Sequence, residues 1–368
     1  MSSPATGDIL VINAGSSSIK FALFDAQLDE KFAGAAIGIG SDASLVVAGQ
    51  LSTPDLPDHA AALEAILAAL AAKGIALENL AAAAHRVVHG GADLIEPVRI
   101  TPDILSRIRA VSELAPLHNS HNLAAIDALA RSAPGLAQFA SFDTAFHATN
   151  PPEATRYAVP EDWHKANIRR FGFHGISYQA LIDNWVKQTG KPLPARLLAF
   201  HLGNGASTCA ILNGKSVATS MGFSPLEGLT MGTRAGSIDA SAALEMAART
   251  SPETVLKTLN RHSGLSALSG GISDMKTLTE TRTPKARFAI RHFCYWAARH
   301  AGSMIAAMGG VDAIAFTGGI GENAPAVTGA ILKHLGWAQV PLTATHFVPA
   351  DETRQIALNA AALMNGDD

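Results

Sequence analysis

Ile9-Leu10-Val11-Ile12-Asn13-Ala14-Gly15-Ser16-Ser17-Ser18-Ile19-Lys20-Phe21-Ala22-Leu23-Phe24-Asp25 runs from an apolar stretch through a small polar turn into a second apolar stretch. Ile9–Ile12 and Ile19–Phe24 read as strands, and Asn13–Ser18 as the turn that joins them. The pattern returns at Leu197-Leu198-Ala199-Phe200-His201-Leu202-Gly203-Asn204-Gly205-Ala206-Ser207-Thr208-Cys209-Ala210-Ile211-Leu212, which ends at Asn213-Gly214. Laying Gly15 on Gly205 places Ser17 on Ser207 and Ser18 on Thr208. A repeat this long points to duplicated domains, since solenoid periods are roughly 20–50 residues. Two unrelated hairpins are the other reading, because Gly-rich turns are common.

Length and composition agree with two domains. The chain has 368 residues, 48% hydrophobic and 16% charged, enough to bury a large core. A formal net charge of −3 lacks the positive surplus a dedicated nucleic-acid binder needs. Cys209 and Cys294, the two cysteines, cannot build a disulfide framework or a Cys-based zinc site. Met1–Asp8 shows no secretory pattern, so a cytoplasmic, soluble protein is expected. The Ala-rich run Ala60–Ala84 carries Glu64, Lys73 and Glu78 and reads as one or two helices, not a membrane span. Asn150-Pro151-Pro152-Glu153 reads as a stiff, non-helical step, and Lys191-Pro192-Leu193-Pro194 precedes the second strand pair. Lys285–Met308 reads as a long apolar helix stopped by Gly309-Gly310, either core or subunit interface. Strands alternating with helices give an α/β class.

Three small-residue segments follow apolar strands: Gly15–Ser18, Gly203–Ser207 and Gly318-Gly319-Ile320-Gly321-Glu322-Asn323 after Ala313–Thr317. Such turns can aim several backbone N–H groups at a phosphate, and three of them favour nucleotide binding. Gly319-x-Gly321-x-x-Ala324 is not a dinucleotide fingerprint, since no acid lies about 20 residues on at the end of a following strand. Asn213-Gly214-Lys215-Ser216 is not a Walker loop, because Cys209 stands where that pattern needs Gly. Arg86 and Arg234 sit in apolar or Gly-rich surroundings with no acid nearby in sequence, and an arginine fork suits a carboxylate or a phosphate. His85 and His89 fall on a strand at a spacing too long to share a metal. His174 lies between glycine and aromatic neighbours, where a packed core histidine is the plainer reading. Asp143, after the apolar run Phe139–Phe142, reads as a helix cap, a base or a metal position, and Glu352 as a helix-dipole partner.

Together these segments resemble the acetate kinase family. The motifs are Val11–Lys20, His85-Arg86-Val87-Val88-His89-Gly90-Gly91, Ala115-Pro116-Leu117-His118-Asn119, Phe142-Asp143-Thr144-Ala145-Phe146-His147 and Gly172-Phe173-His174-Gly175. His201–Ser207, Pro225–Arg234 and Phe316–Asn323 complete the set, in family order. The resemblance implies a duplicated actin-like ATPase (ribonuclease H-like) fold, βββαβαβα in each half, with the active site in the cleft between the halves. It implies a first domain of residues 1–148 plus 353–368, the C-terminal helix returning to it, and a second domain of 149–352 for nucleotide binding and dimerisation. The implied reaction is reversible, Mg²⁺-dependent (or Mn²⁺-dependent) transfer of the γ-phosphoryl of ATP to acetate by direct in-line attack. Its products are acetyl phosphate and ADP, made by a homodimer without nucleic-acid or membrane partners. Propionate or butyrate kinase is the alternative on the same fold.

Residue roles carry over in the same way. Arg86 and Arg234 would hold the acetate carboxylate and the phosphoryl in flight, His174 would bond the phosphoryl oxygens, and His118 matches a further active-site position. Asn13 and Glu352 would organise the metal, with Asp143 acting through its water. Val88, Leu117, Phe173 and Pro225 would line the methyl pocket. Asn204 and Gly205 would hold the ATP phosphates, Gly319, Ile320 and Asn323 the adenosine end. Lys20, His201, Asp274, Met275 and Lys276 fall at further nucleotide positions. Departures from the family pattern are Ser237 for the usual Asp, Ser273-Asp274-Met275-Lys276 where an aromatic and an Arg are common, Ser120-His121 for a Pro-rich continuation, and Ile176 for Thr.

Overall fold

In β1 (Ile9–Ala14) nearly every side chain is buried, as a strand paired on both edges and covered on both faces requires. The computed structural model describes residues 7–15, 17–112, 119–349 and 351–366. The expected positions Leu117 and His118 lie outside the described residues. Two units emerge, one drawn from Met1–Ala145 with Asp351–Asp368 and the other Phe146–Ala350.

The first unit adds to β1 the strands β2 (Ser18–Phe24), β3 (Glu30–Ile37), β4 (Ser44–Val47), β5 (Gln50–Ser52), β6 (Ala82–Val87), β7 (Val98–Arg99) and β8 (Gln138–Phe142). They form one sheet in the order β5-β4-β3-β2-β1-β6-β8-β7. β1, β2 and β3 are joined antiparallel, with Asn13 opposite Lys20, whereas β1–β6 and β6–β8 are parallel. Leu63, Ile66 and Leu70 of helix His59–Ala72 and Leu129 of helix Asn119–Ser132 pack with Leu10, Ile12, Ile19 and Phe21 in one core. Asp58 starts the first of these helices by accepting a hydrogen bond from the Ala61 N–H. Helix Glu352–Gly366 packs on β1, β6 and β8, burying Ile356, Ala357, Ala360 and Ala361, and Asn359 Nδ2 donates to Ser141 Oγ at 3.0 Å.

The second unit holds β9 (Arg196–Leu202), β10 (Ala206–Leu212), β11 (Lys215–Thr219), β12 (Ala313–Thr317) and β13 (Thr345–Phe347), in the order β11-β10-β9-β12-β13. β9–β10 and β10–β11 are antiparallel; β9–β12 and β12–β13 are parallel. Asn213 and Gly214 turn β10 into β11 with φ of 50° and 78°, as a two-residue hairpin of this type requires. Helix Pro284–Met308 is opened by the Thr283 side chain accepting from the Ala286 N–H and closed by Gly309 at φ 67°.

Order and direction match strand for strand between β3-β2-β1-β6-β8 and β11-β10-β9-β12-β13, so each unit is the actin-like arrangement. Three local readings change. Ala82–Ala84 is strand rather than helix: alanine favours helix, but pairing with β1 and β8 on both edges wins. Pro152–Thr155 is one helical turn with Pro at its start, where proline is tolerated. The segment after β12 is not a loop but a short helix, Gly318–Asn323. No helix among the described residues is long and apolar enough to cross a membrane.

Candidate functional site

In the first unit, parallel β1, β6 and β8 end on the same side of the sheet and bring Asn13, Arg86 and Asp143 together. Arg86 Nη2 donates to Asp143 Oδ2 at 2.5 Å, and Arg86 Nε lies 3.0 and 3.1 Å from the two carboxylate oxygens. Arg86 Nη1 donates to Asn13 Oδ1 at 3.1 Å, and Asn13 Nδ2 reaches Glu352 Oε2 at 3.5 Å. Glu352 opens the returning helix and so comes to this cluster from the far end of the sequence. Arg86 is therefore not short of counter-ions, as its sequence neighbourhood suggests. Its partner lies 57 positions away.

Burial works against the Arg86 charge, but the charge and hydrogen bonds of Asp143, with Glu352 adding, outweigh it and hold the guanidinium above its ordinary range. Burial pushes the Asp143 carboxyl up; Arg86 pulls it down and Glu352 pushes it up again, leaving it raised. Arginine does not give up its proton, so the guanidinium stands as a fixed cation against the Asp143 carboxyl, which it grips through Nε and Nη2. The fork is thus oriented before any substrate arrives. Asn13, Asp143 and Glu352 supply oxygen donors, the chemistry that suits Mg²⁺ rather than a softer ion. Among the described residues no three His, Cys, Asp or Glu side chains form a cage. Mg²⁺ ordinarily keeps water and phosphate ligands beside one or two carboxylates, so this donor set fits it.

Val88, buried next to Arg86, donates its N–H to Asn122 Oδ1 at 3.1 Å, and the His89 N–H is held by Asn119 Oδ1 at 3.0 Å. His85 bonds Gln138 through Nε2 at 2.7 Å, and His89 Nδ1 accepts from the Gly91 N–H. Burial pushes both imidazoles down to about 4, so they serve as neutral core groups. Lys20 is exposed on β2, opposite Asn13 in register.

In the second unit, His174 precedes helix Gly175–Asp183 in a left-handed conformation, φ 62°. Its Nδ1 lies 2.8 Å from Ser207 Oγ on β10, and its ring stacks on His201 of β9 at 4.2 Å. Gly205 sits in the β9–β10 turn, where a Cβ would lie 3.2 Å from His174 Nε2 and 3.5 Å from Arg234 Nη1. Only glycine leaves that point open. Arg234 Nη1 donates to the Pro225 carbonyl at 3.3 Å. Phe173 is buried, and its carbonyl accepts from His147 Nε2 at 3.0 Å. His174, Gly205, Arg234 and Pro225 are thus neighbours.

A cavity of about 850 Å³ opens in the same unit, lined by Asn204, Asp274, Met275, Lys276, Gly319, Ile320 and Asn323 among others. That is within the range of ligand pockets. Asp274 also caps helix Met275–Glu280, accepting from the Thr277 N–H at 2.8 Å. His201 and Gly205 lie outside this lining. Ser237 bonds Gly228 through both its backbone N–H and its side chain.

Sequence reasoning missed three supporting groups. Tyr178 Oη lies 2.6 Å from the Ser207 Oγ that contacts His174. Asn119 and Asn122 fasten the backbone beside Arg86. Glu227 accepts from Tyr157 Oη and pairs with Arg170, joining the segment before His174 to the one that carries Pro225 and Arg234. Glu227, inside the Pro225–Arg234 motif, and Arg170, shortly before His174, carried a signal as opposite charges. Tyr178 carried none.

The sequence pattern of the Acetokinase family matches residues 8–357. An acetate kinase of Rhodopseudomonas palustris is 41% identical over 350 residues, 91% of this chain and 87% of that protein. The crystal structure of Porphyromonas gingivalis acetate kinase superposes with a TM-score of 0.87 at 30% identity, covering 98% of this chain and 100% of that one. That of a propionate kinase from Francisella tularensis gives 0.89 at 33% identity, covering 96% and 99%.

Proposed function

We infer the reaction from one premise: this chain belongs to the acetokinase family. It is an acetate kinase, a phosphotransferase with a carboxyl acceptor, moving the terminal phosphoryl of ATP to acetate to give acetyl phosphate and ADP. The observation that carries this reading is the family match across residues 8–357, which takes in every residue used below.

Acetate offers one carboxylate and one methyl, and its carboxylate is ionised at neutral pH, so no general base is needed. Positioning and charge neutralisation are what phosphoryl transfer asks of a protein. Arg86, pre-oriented by Asp143 and Asn13, and Arg234 together hold the acetate carboxylate and neutralise the phosphoryl as it moves in line. His174 donates to the phosphoryl oxygens beside Gly205. Val88, Phe173 and Pro225 bound the methyl group, together with Leu117; His118 joins the active site. Asn204 and Gly205 hold the phosphates, with Lys20 and His201; Gly319, Ile320 and Asn323, with Asp274, Met275 and Lys276, hold the nucleoside. Asn13 and Glu352 would hold Mg²⁺, or Mn²⁺, with Asp143 through its water; when bound, the ion neutralises phosphate charge. The working form is a homodimer in the cytoplasm, where ATP is supplied.

Propionate kinase is the second reading, favoured by the likeness to the Francisella tularensis enzyme. A coupled assay of acyl phosphate from ATP decides it across acetate, propionate and butyrate. ADP formation strictly dependent on acetate, with the highest kcat/KM for acetate, is expected. A clear preference for propionate overturns the substrate, and carboxylate-independent ADP formation overturns the reaction.

A further inference from the structure

A neutral imidazole donates from one ring nitrogen and accepts at the other, so His174 attracts or repels a phosphoryl oxygen according to which nitrogen holds the proton. The groups behind the ring decide this. Tyr178 is fully buried, and burial pushes its phenol far above the ordinary range, so the phenol keeps its proton. Its oxygen takes a hydrogen bond from the His201 backbone N–H. Among the described residues, the side-chain acceptor in reach of its own proton is Ser207 Oγ, at 2.6 Å. Ser207 is also fully buried. Having accepted from Tyr178, it turns its own proton toward His174 Nδ1, 2.8 Å away. A buried hydroxyl with no partner is costly, so each proton goes where an acceptor stands.

We infer that Tyr178 and Ser207 form a relay that fixes His174 as the Nε2–H tautomer, presenting a donor beside Gly205. The inference rests on the kinase reading for its purpose, not for its geometry. Nε2 faces the point where a Cβ on Gly205 would lie 3.2 Å away, the point that Arg234 Nη1 also approaches. A donor there and the guanidinium act in the same sense on an anionic oxygen. A bare Nε2 would oppose Arg234. The stacked His201 ring, tied by Nδ1 to Ser177 Oγ at 2.8 Å, keeps the His174 plane from swinging. Ser207 and Tyr178 are positioning residues, since neither needs to touch substrate.

Long-range ¹H–¹⁵N correlation of histidine-labelled, substrate-free enzyme at about pH 8 reads the tautomer directly, with His174→Gln assigning the signals. A bare Nδ1 and a protonated Nε2 are expected at position 174; the opposite pattern in the wild type overturns the relay. Tyr178→Phe and Ser207→Ala should each give mixed tautomers and lower kcat about tenfold, the equivalent of one ordinary hydrogen bond. KM for ATP should move less than twofold, and Ser207→Thr should restore both tautomer and rate. An unchanged tautomer and kcat in Tyr178→Phe or in Ser207→Ala overturns the proposal. The spectrum needs no turnover: a wild type with the expected tautomer but no acetate-dependent ADP refutes the kinase reading and leaves the relay standing.

Discussion

Arg86→Ala should lower the stability of its unit and its turnover, by different amounts and for different reasons. Asp143 is 1% exposed and takes its short contacts, 2.5 to 3.1 Å, from this one guanidinium. Removing the cation strands a buried carboxylate beside a second acid, Glu352. Breaking a buried pair from one side costs about 3–5 kcal/mol. At roughly 2–4 °C per kcal/mol for a unit of this size, Tm should fall on the order of 10 °C. Adding Asp143→Asn removes the stranded charge, so the double variant should regain roughly half of the loss. Turnover should behave otherwise: kcat falls by about 10³ in the single variant, the scale of lost charge stabilisation in phosphoryl transfer, and does not recover in the double. Calorimetry and acetate-dependent ADP formation separate the two effects. A double variant no more stable than Arg86→Ala would refute the stranded-charge argument. Turnover within tenfold of wild type would remove Arg86 from the phosphoryl step.

Acid should weaken the fold through three buried histidines. His85, His89 and His147 are each pushed down to about 4, chiefly by burial, from an ordinary 6.5. The unfolded chain therefore binds protons first, and their stabilisation, complete above about pH 6.5, is lost as pH falls toward about 4, at roughly 2 kcal/mol each by pH 5. Equal urea midpoints at about pH 8 and pH 5 would contradict this. Gly205→Ala puts a methyl between His174 Nε2 and Arg234 Nη1, so kcat should drop at least about tenfold with little change in Tm; full activity would mean that point is not used. Val88→Ala should raise the propionate-to-acetate ratio of kcat/KM by about tenfold or more, the value of one methylene in a pocket. An unchanged ratio takes Val88 out of the pocket wall.

The strand pairs that define the two units were legible because their evidence is local. Asn213-Gly214 is a turn wherever it lies between apolar strands, and Gly309 stops its helix by cap chemistry alone, whereas the Thr283 cap that opens that helix was not read. Ala82–Ala84 misled because alanine's helical preference is a weak prior that pairing on both edges overrides. The hairpin of β4 and β5 and the edge strand β7 carried too little periodicity to be seen. At the site, Arg86 and Arg234 stood out by their surroundings and Asp143 by its place after a strand, but the pairing of Arg86 with Asp143 did not. The Asp143 contact depends on the parallel register that sets Val87 beside Phe142, and register is a property of the assembled sheet. The Tyr178–Ser207 contact was hidden for the same reason: it joins a helix to a strand 29 positions on.

The helix Glu352–Gly366 also imposes an order in time. When a ribosome has finished β8, the first unit has its whole sheet but lacks the helix that buries Ile356, Ala357, Ala360 and Ala361 on it, and it lacks Glu352. All of Phe146–Ala350 must be made first. At roughly 5–20 residues per second that is a wait on the order of ten to forty seconds. At the end of that interval the second unit has every strand it needs, while an apolar part of β1, β6 and β8 still stands open. The later half of the sequence should therefore be the first to reach its final form, and the nascent chain cannot assemble the Asn13–Glu352 contact before its last helix is out. A chain broken off after Ala350 should keep a folded second unit and offer chaperones an uncovered sheet in the first.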